Sequence, residues 1–389
     1  MGLKIVHVLT SLLRGGAEEN TLLTCRQQLD MGHEVYLLHG SAIDPKMRAQ
    51  VPPGAKVIFV PQLLREIRPV QDTAAVSAIA RQLRYVEPDV VHTHQSKAGF
   101  VGRMAAHHAH VPVILHGVHI LPFLNVSPLR AKLLLAMERH VARYTDAFIA
   151  VARGMHDANL SAGLGTKENN HIVYSGMEIE RFLDAAPTTE APAGRIITFV
   201  ASLERRKRHW EFFGIFARLK NRWPDLQLCL LGQGDMAPSL RARAAALGIA
   251  DQVHFLGFRD DVAPWIAASE ICVLPSKREG LPRAVVQYVA AGRPVVVSRL
   301  PGIEEIVTDG SNGFLADLED LSGMEAAIHR LLAEPALAAS MQAASRAKNL
   351  SQWSAARMAE DIETIMARLV RHKERLPAPA AQAAASTAA

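Results

Sequence analysis

Residues 275–297, PSKREGLPRAVVQYVAAGRPVVV, set a carboxylate, Glu279, just before a turn that opens an amphipathic helix and runs on into an apolar strand. The first turn of a helix has backbone N–H groups without partners inside the helix and carries about half a positive charge, so it welcomes an anion such as phosphate. Gly280 lets the chain approach a ligand closely. Pro282 suits a first helical position, because the donor it lacks would be unpaired there. The segment reads as a phosphate cradle beside an acid.

Strand and helix patterns alternate on both sides of it. In the first half LKIVHVLT, EVYLLHG, KVIFV, VVHTH, VPVILH, AFIAV and HIVY read as strands, with helices over 22–31, 74–86, 98–109 and 128–144. In the second half IITFVA, LQLCLLG, VHFLGF, ICVLP, RPVVVS and GFLA read as strands, with helices opening near Trp210, Ser239, Val262, Arg283 and Leu321. Such alternation predicts an α/β class with parallel sheets covered on both faces. The 389 residues suffice for two domains with full cores. The Pro-, Ala- and Thr-rich run 184–194 is the expected linker, giving domains over 1–183 and 195–352. An amphipathic helix is expected over 353–373, and the low-complexity run 374–389 is expected to be disordered.

Composition narrows the classes. Cys25, Cys229 and Cys272 are odd in number, far apart and without a C-x-x-C, which suits a reducing cytoplasm and argues against a disulfide framework or a cysteine zinc site. The first apolar run holds Lys4 and His7 and leads into a Gly-rich turn, so no signal peptide is expected. No stretch approaches the ~20 apolar residues of a membrane span. Through Arg181 there are 19 Lys and Arg against 15 Asp and Glu, and afterwards 24 against 23, which hints at an anionic partner for the first half. Aromatic residues are 5% of the chain and do not interleave with the basic ones, which argues against nucleic acid.

The opening segment resembles the E-x7-E signature of family 4 retaining glycosyltransferases, which use nucleotide sugars. Its second position holds Gln287 where the family usually has Glu. In the family that carboxylate accepts hydrogen bonds from ribose hydroxyls; a Gln carbonyl accepts one of them without a charge-assisted pair. HTHQSKAGFVGRMAA, from His92, and VILHGVHILPF, from Val113, are similar to members that work on membrane-linked saccharides. The resemblance implies an α/β GT-B fold: two doubly wound Rossmann-like domains facing a cleft, the first binding acceptor and the second nucleotide sugar, with the last helix crossing back to the first domain.

Site residues follow from the same resemblance. Gly15 and Gly16 match a flexible loop against the donor diphosphate and the acceptor, although a tight turn also explains them. His116 ends a predicted strand, at the edge where doubly wound folds bind ligands, and matches a His lying against the donor sugar. A neutral imidazole can hydrogen-bond a sugar hydroxyl there. For His94, packing and acceptor contact stay open. Lys97 stands at a helix start, where an ammonium does not help the helix, so a phosphate or carboxylate partner is one reading and a solvated loop lysine the other. His107, His108 and His110 read as exposed helix-end residues.

FVASLERRKRHWEF resembles the segment in which an Arg and, five residues on, a Lys clamp the diphosphate. Lys207 fills the second place, but the first is Ser202, and a hydroxyl does not replace a planar charged fork. Arg205, Arg206 and Arg208 are the available substitutes, with Arg205 favoured. LLGQGDMAPSL brings Gly232 to the nucleotide, and Arg259 matches a residue beside the base. Glu279 is expected at the donor sugar's hydroxyls, with Gly280, Leu281, Arg283, Ala284 and Gln287 around the nucleotide. His116, Glu279 and Lys207 are the catalytic candidates.

The expected reaction is transfer of a sugar from a UDP-sugar or related donor to a hydroxyl of a saccharide or lipid-linked acceptor, as in cell-surface polysaccharide or lipopolysaccharide synthesis. No metal or other cofactor is expected, because no D-x-D motif ends a strand and Asp260 and Asp261 are adjacent. The run 121–144 carries Leu129, Leu133, Leu134, Met137 and Val141 with Arg130, Lys132, Arg139 and Arg143. Peripheral contact with the inner face of the cytoplasmic membrane and ordinary core packing both stay open for it. Two other classes remain: a non-catalytic nucleotide-binding protein of this fold, given Ser202 and Gln287, and a nicotinamide dehydrogenase, given the G-x-G-x-x-A of Gly232, Gly234 and Ala237 with acids further on. Asp309 and Asn312, beside Gly310 and Gly313, read as turn chemistry.

Overall fold

A computed structural model describes residues 2–124 and 126–375. Contacts divide the chain into two units. The first holds the chain to Val151, Met155–Val173 and the helix from Ala356; the second holds Ala152–Gly154 and Tyr174–Ala355. The division therefore falls at Val173 and Tyr174, and the run 184–194 lies inside the second unit. Of the run 374–389, the part from 376 onward lies outside the described residues, while 374 and 375 complete the last helix.

The first unit is built on β1 (Lys4–Leu9), β2 (Glu34–His39), β3 (Lys56–Phe59), β4 (Val90–His94), β5 (Val113–Val118), β6 (Ala147–Ala150) and β7 (Asn170–Ile172). They pair in parallel in the order β3-β2-β1-β4-β5-β6-β7. The second unit has β8 (Arg195–Val200), β9 (Leu226–Leu231), β10 (Val253–Gly257), β11 (Ile271–Leu274), β12 (Val295–Ser298) and β13 (Gly313–Ala316). These run parallel in the order β10-β9-β8-β11-β12-β13. Apolar runs such as ICVL and VVVS are buried throughout, as strands covered on both faces require.

In both sheets the strand order reverses once, at β1/β4 and at β8/β11. Loops leaving the carboxyl ends of those neighbours turn to opposite faces and open a crevice, the usual ligand position in a doubly wound fold. The loops that carry Gly15 and Gln95 flank the first reversal, and those that carry Lys207 and Glu279 flank the second.

Helices depart from expectation in places. The helix Gly16–Asp30 starts six residues before the expected Leu22, because Glu18 and Glu19 in its first turn suit the helix N-terminus better than the glycines disfavour it. Helices Pro45–Ala49, Arg153–Ser161 and Pro335–Ala347 add to those expected; the first is barely more than one turn, and the others are polar or Ala-rich. The last helix, Ala355–Arg375, buries Met358, Ile362, Ile365 and Met366 with Ile5, Val90, Val113 and Leu115. His33 Nε2 meets Glu363 at 2.9 Å and Lys373 meets Asp146 at 2.8 Å, so this helix crosses back to the first sheet. In the second unit Phe212, Phe213 and Phe216 of the helix His209–Arg222 bury against Phe199 and its neighbours. Each such side chain contributes about 1.5–3 kcal/mol relative to exposure.

Candidate functional site

At the second reversal a short 3-10 turn, Arg205–Lys207, follows β8 and directs Lys207 inward. Arg208 ends that turn at φ 61°, a left-handed backbone that costs a non-glycine residue about 1–3 kcal/mol, and starts the helix His209–Arg222. After β11 the loop presents Glu279. Lys207 Nζ donates to Glu279 Oε1 at 2.5 Å, and Arg206 Nη1 donates to Glu279 Oε2 at 3.1 Å. Arg206 Nη1 also reaches the Arg278 carbonyl at 3.2 Å, Arg206 Nε reaches Glu204 at 2.8 Å, and the Lys277 amide donates to the Arg206 carbonyl at 2.9 Å. Burial pushes the Glu279 carboxyl up, but the charges of Lys207 and Arg206 and the Lys207 hydrogen bond outweigh it, so Glu279 is held below the usual carboxylate range. It is Arg206 that meets Glu279; the favoured Arg205 is exposed.

Pro282 is the N-cap of the helix Arg283–Ala290 and not its first residue. The Arg283 amide is taken by the Leu281 carbonyl at 2.9 Å, and the Arg283 guanidinium meets Ser175 Oγ at 2.7 Å and the Gly176 carbonyl at 3.0 Å. Gly280, Leu281, Ala284 and Gln287 are all partly exposed around this turn. Tyr288 fixes the helix to β8, its hydroxyl accepting from the Val200 amide at 2.7 Å.

Gly232 follows β9 at φ 153°, and a Cβ there would lie 1.9 Å from the Ala201 carbonyl oxygen, so the turn admits only glycine. The G-x-G-x-x-A run thus follows β9 and not β8, the strand at the reversal, which is where a dinucleotide fingerprint belongs. Arg259 makes a two-pronged pair with Asp261, both contacts at 2.6 Å, and a third bond to Glu190 at 3.1 Å. Asp309 and Asn312 serve turns: Asp309 Oδ1 accepts from the Leu315 amide and Asn312 Oδ1 from the Thr308 amide.

In the first unit His116 is buried within β5, which continues two residues past the expected strand end to Val118, and its Nδ1 lies 3.0 Å from Thr93 Oγ1. The same hydroxyl lies 3.1 Å from the Leu115 carbonyl, and donation there places the His116 ring proton on Nδ1 and leaves Nε2 as an acceptor. Burial and the nearby Arg103 charge hold this imidazole neutral. His94 is buried between two other imidazoles, with Nε2 2.9 Å from His7 Nδ1 and Nδ1 3.1 Å from His119 Nε2. Lys97 finds its carboxylate within the chain: it pairs with Asp72 and donates to the Glu66 carbonyl at 2.9 Å. Gly15 is the N-cap of the helix Gly16–Asp30. Gln95, at φ 62°, bridges the reversal by accepting from the Thr10 amide at 3.0 Å and donating to Glu18 at 2.7 Å. That bridge had no signal in the sequence beyond a Gln between a strand and a helix.

The helix Pro128–Ala142 buries only Glu138 and Val141. Glu138 pairs with the buried Arg103 at 2.5 Å, while Leu129 and Leu133 are 82% and 60% exposed beside exposed Arg130 and Lys132. No helix among the described residues is long and apolar enough to cross a membrane.

Comparison with known proteins matches two family models in succession. Residues 14–181 match "Glycosyltransferase Family 4" and residues 194–334 match "Glycosyl transferases group 1". The UDP-Gal:alpha-D-GlcNAc-diphosphoundecaprenol alpha-1,3-galactosyltransferase of Escherichia coli is 27% identical over 290 residues, covering 72% of this chain and 75% of that protein. The phosphatidyl-myo-inositol mannosyltransferase of Mycolicibacterium smegmatis is 26% identical over 347 residues, 87% of each chain. Among solved structures, HepE of Anabaena in complex with UDP-glucose superposes with a TM-score of 0.77 at 20% identity, covering 94% of this chain and 100% of that one.

Proposed function

The chain belongs to glycosyltransferase family 4, of GT-B fold, and from that premise we propose that it moves a sugar from a UDP-sugar to a hydroxyl of a saccharide or lipid-linked acceptor, with retention and without a metal. Breaking the bond between an anomeric carbon and a nucleoside diphosphate develops positive charge on the sugar and negative charge on the leaving diphosphate. Preorganised donors aimed at the departing oxygens supply the largest catalytic contribution in reactions of this kind. Lys207 and Arg206 are the cations at the β8/β11 reversal, and they take that role here; Arg206 supplies the guanidinium missing at Ser202.

Glu279 has two jobs in this reading. It holds the two cations in place before the donor arrives, and it accepts from sugar hydroxyls once the diphosphate draws the cations away. His116, a neutral imidazole of the first unit, keeps a hydrogen bond to a sugar hydroxyl in this reading. The acceptor hydroxyl then attacks on the face from which the diphosphate leaves, and its proton passes to the leaving phosphate.

The galactosyltransferase relative acts on a diphosphoundecaprenol-linked sugar, and that supports both the UDP donor and a lipid-linked acceptor for this chain. The outward Leu129 and Leu133 beside Arg130 and Lys132 support docking on an anionic membrane surface, where such an acceptor resides. The observation that carries the proposal is the convergence of Lys207 and Arg206 on Glu279 at the reversal of the second sheet. Incubation of the full chain with a panel of UDP-sugars and undecaprenyl-diphosphate-linked saccharides, followed by UDP release and product mass, tests it. The expected result is acceptor-dependent UDP release that is lost in Glu279→Gln; no release with any donor counts against it.

A further inference from the structure

The first unit contains a second cluster that the transfer chemistry does not use. His7 on β1 and His92 on β4 are register partners on adjacent strands, and His94, two residues on, projects to the same side. All three are buried, and one ring nitrogen from each lies within 4.8 Å of the other two. We propose that His7, His92 and His94 form a binding site for a borderline-soft divalent cation of the Zn2+ class, fastening β1 to β4 at the reversal of the first sheet.

His92 carries much of the case. It is 2% exposed, yet among the described residues neither Nδ1 nor Nε2 has a hydrogen-bond partner. A buried polar group left in that state is destabilising, and a bound ion or water is the regular explanation. The other two histidines each have a partner on the ring nitrogen that faces away from the cluster. His7 Nε2 donates to Gln28 Oε1 at 2.7 Å, so a neutral His7 keeps its lone pair on Nδ1, pointing at the cluster. His94 has His119 on its far nitrogen at 3.1 Å. Metal-binding histidines characteristically have the second ring nitrogen tied to such a partner, which fixes the tautomer and the ring's aim.

Geometry permits the ion. Zn–N bonds of about 2.0–2.1 Å put tetrahedral ligand nitrogens about 3.3 Å apart. His7 Nδ1 and His94 Nε2 are 2.9 Å apart and need to open by only a few tenths of an ångström. Gly117 leaves the room: a Cβ there would lie 2.9 Å from His94 Nδ1, 3.0 Å from His119 Nε2 and 3.4 Å from His92 Nε2. On binding, His94 moves its ring proton from Nε2 to Nδ1, and His119 moves its own from Nε2 to Nδ1 to accept it, so every ring stays neutral. Three imidazoles with one position left for water suit Zn2+, Co2+, Ni2+ or Cu2+ and not Mg2+ or Ca2+. The site lies on β1 and β4 and takes no part in the metal-free diphosphate chemistry proposed above.

Co2+ titration of the chelator-dialysed full chain, read by visible absorption and by competition with Zn2+, tests the site. Expected is uptake of one equivalent with the strong bands of four-coordinate Co2+, reversed by Zn2+, and unchanged when His107, His108 and His110 are all replaced by Gln. His92→Gln is expected to abolish uptake with an unaltered circular dichroism spectrum, and Gln28→Leu to weaken it about 10- to 100-fold. Absence of stoichiometric uptake, or equal uptake by His92→Gln, would assign the space to a water molecule or the binding to surface histidines and overturn the proposal. Should His92→Gln fail to fold, an unchanged affinity in Gln28→Leu overturns it instead.

Discussion

Lys207 Nζ and Glu279 Oε1 stand 2.5 Å apart, and this contact joins the loop after β8 to the loop after β11. The two residues are far apart in sequence and meet because β8 and β11 are neighbours at the point where the strand order reverses. In the function proposed above, this cation takes the diphosphate and this acid takes the sugar.

Replacing Glu279 by Gln keeps the shape and removes the charge. We expect kcat to fall by about 100-fold or more, the scale seen when one preorganised polar group is lost from such a site, with the circular dichroism spectrum unchanged. Lys207→Met should fall at least as far. Steady-state kinetics with the best donor checks both, and activity within a few-fold of the wild type in either would remove that residue from the chemistry.

Arg206 and Arg205 separate cleanly. Arg206 bonds Glu279, whereas Arg205 is exposed, so Arg206→Ala should weaken donor binding about tenfold, equivalent to about 1.4 kcal/mol, and Arg205→Ala should leave it unchanged. Titration calorimetry with the nucleoside diphosphate reads the difference. The reverse pattern would return the role to Arg205.

The acid limb of stability carries a signature of the same cluster. Glu279 ionises below its ordinary value of 4.5, because Lys207 and Arg206 outweigh its burial. A carboxyl lowered by folding adds stability that is complete above its unfolded pKa and is lost as the pH falls through the folded one. The melting-temperature gap between wild type and Glu279→Gln should therefore be constant from neutral pH down to about 5 and close below about 4. A gap that widens on acidification would mean that burial, and not the two cations, controls this carboxyl.

Much of this was legible in the sequence, for identifiable reasons. Strands came through because parallel strands covered on both faces are continuous apolar runs, VVVS and ICVL among them. Glu279 and Lys207 could each be placed in a loop after such a strand, but their contact is a product of strand order. The choice within Arg205–Arg208 did not come through, since four consecutive basic residues say nothing of which one a 3-10 turn ending in a left-handed Arg208 will point inward. Lys97 called for an anion, and the chain's own Asp72 supplies one from another helix, a pairing no local pattern encodes. The convergence of His7 with His92 and His94 is likewise a product of strand order.

The exposed leucines of the helix Pro128–Ala142 lead to a prediction at the membrane. Each buried Leu is worth about 1.5–3 kcal/mol, so Leu129→Glu with Leu133→Glu should lower sedimentation with anionic vesicles by tenfold or more while UDP binding is retained. Equal sedimentation of the double variant and the wild type would return this helix to an ordinary solvated face.

Restoring the family's acid with Gln287→Glu offers a gain-of-contact test. A carboxylate there adds a charge-assisted acceptor for ribose hydroxyls, so nucleotide affinity should rise or hold. A large loss would show that Gln287 already serves this chain in another way.

The most direct measurement is the melting temperature of the full chain with UDP, GDP and ADP in turn. A nucleotide present at 100 times its Kd stabilises the folded chain by about 2.7 kcal/mol, a shift of a few degrees. The account predicts such a rise with UDP, smaller with the other two, and absent in Lys207→Met. A melting temperature that none of the three nucleotides moves would contradict it.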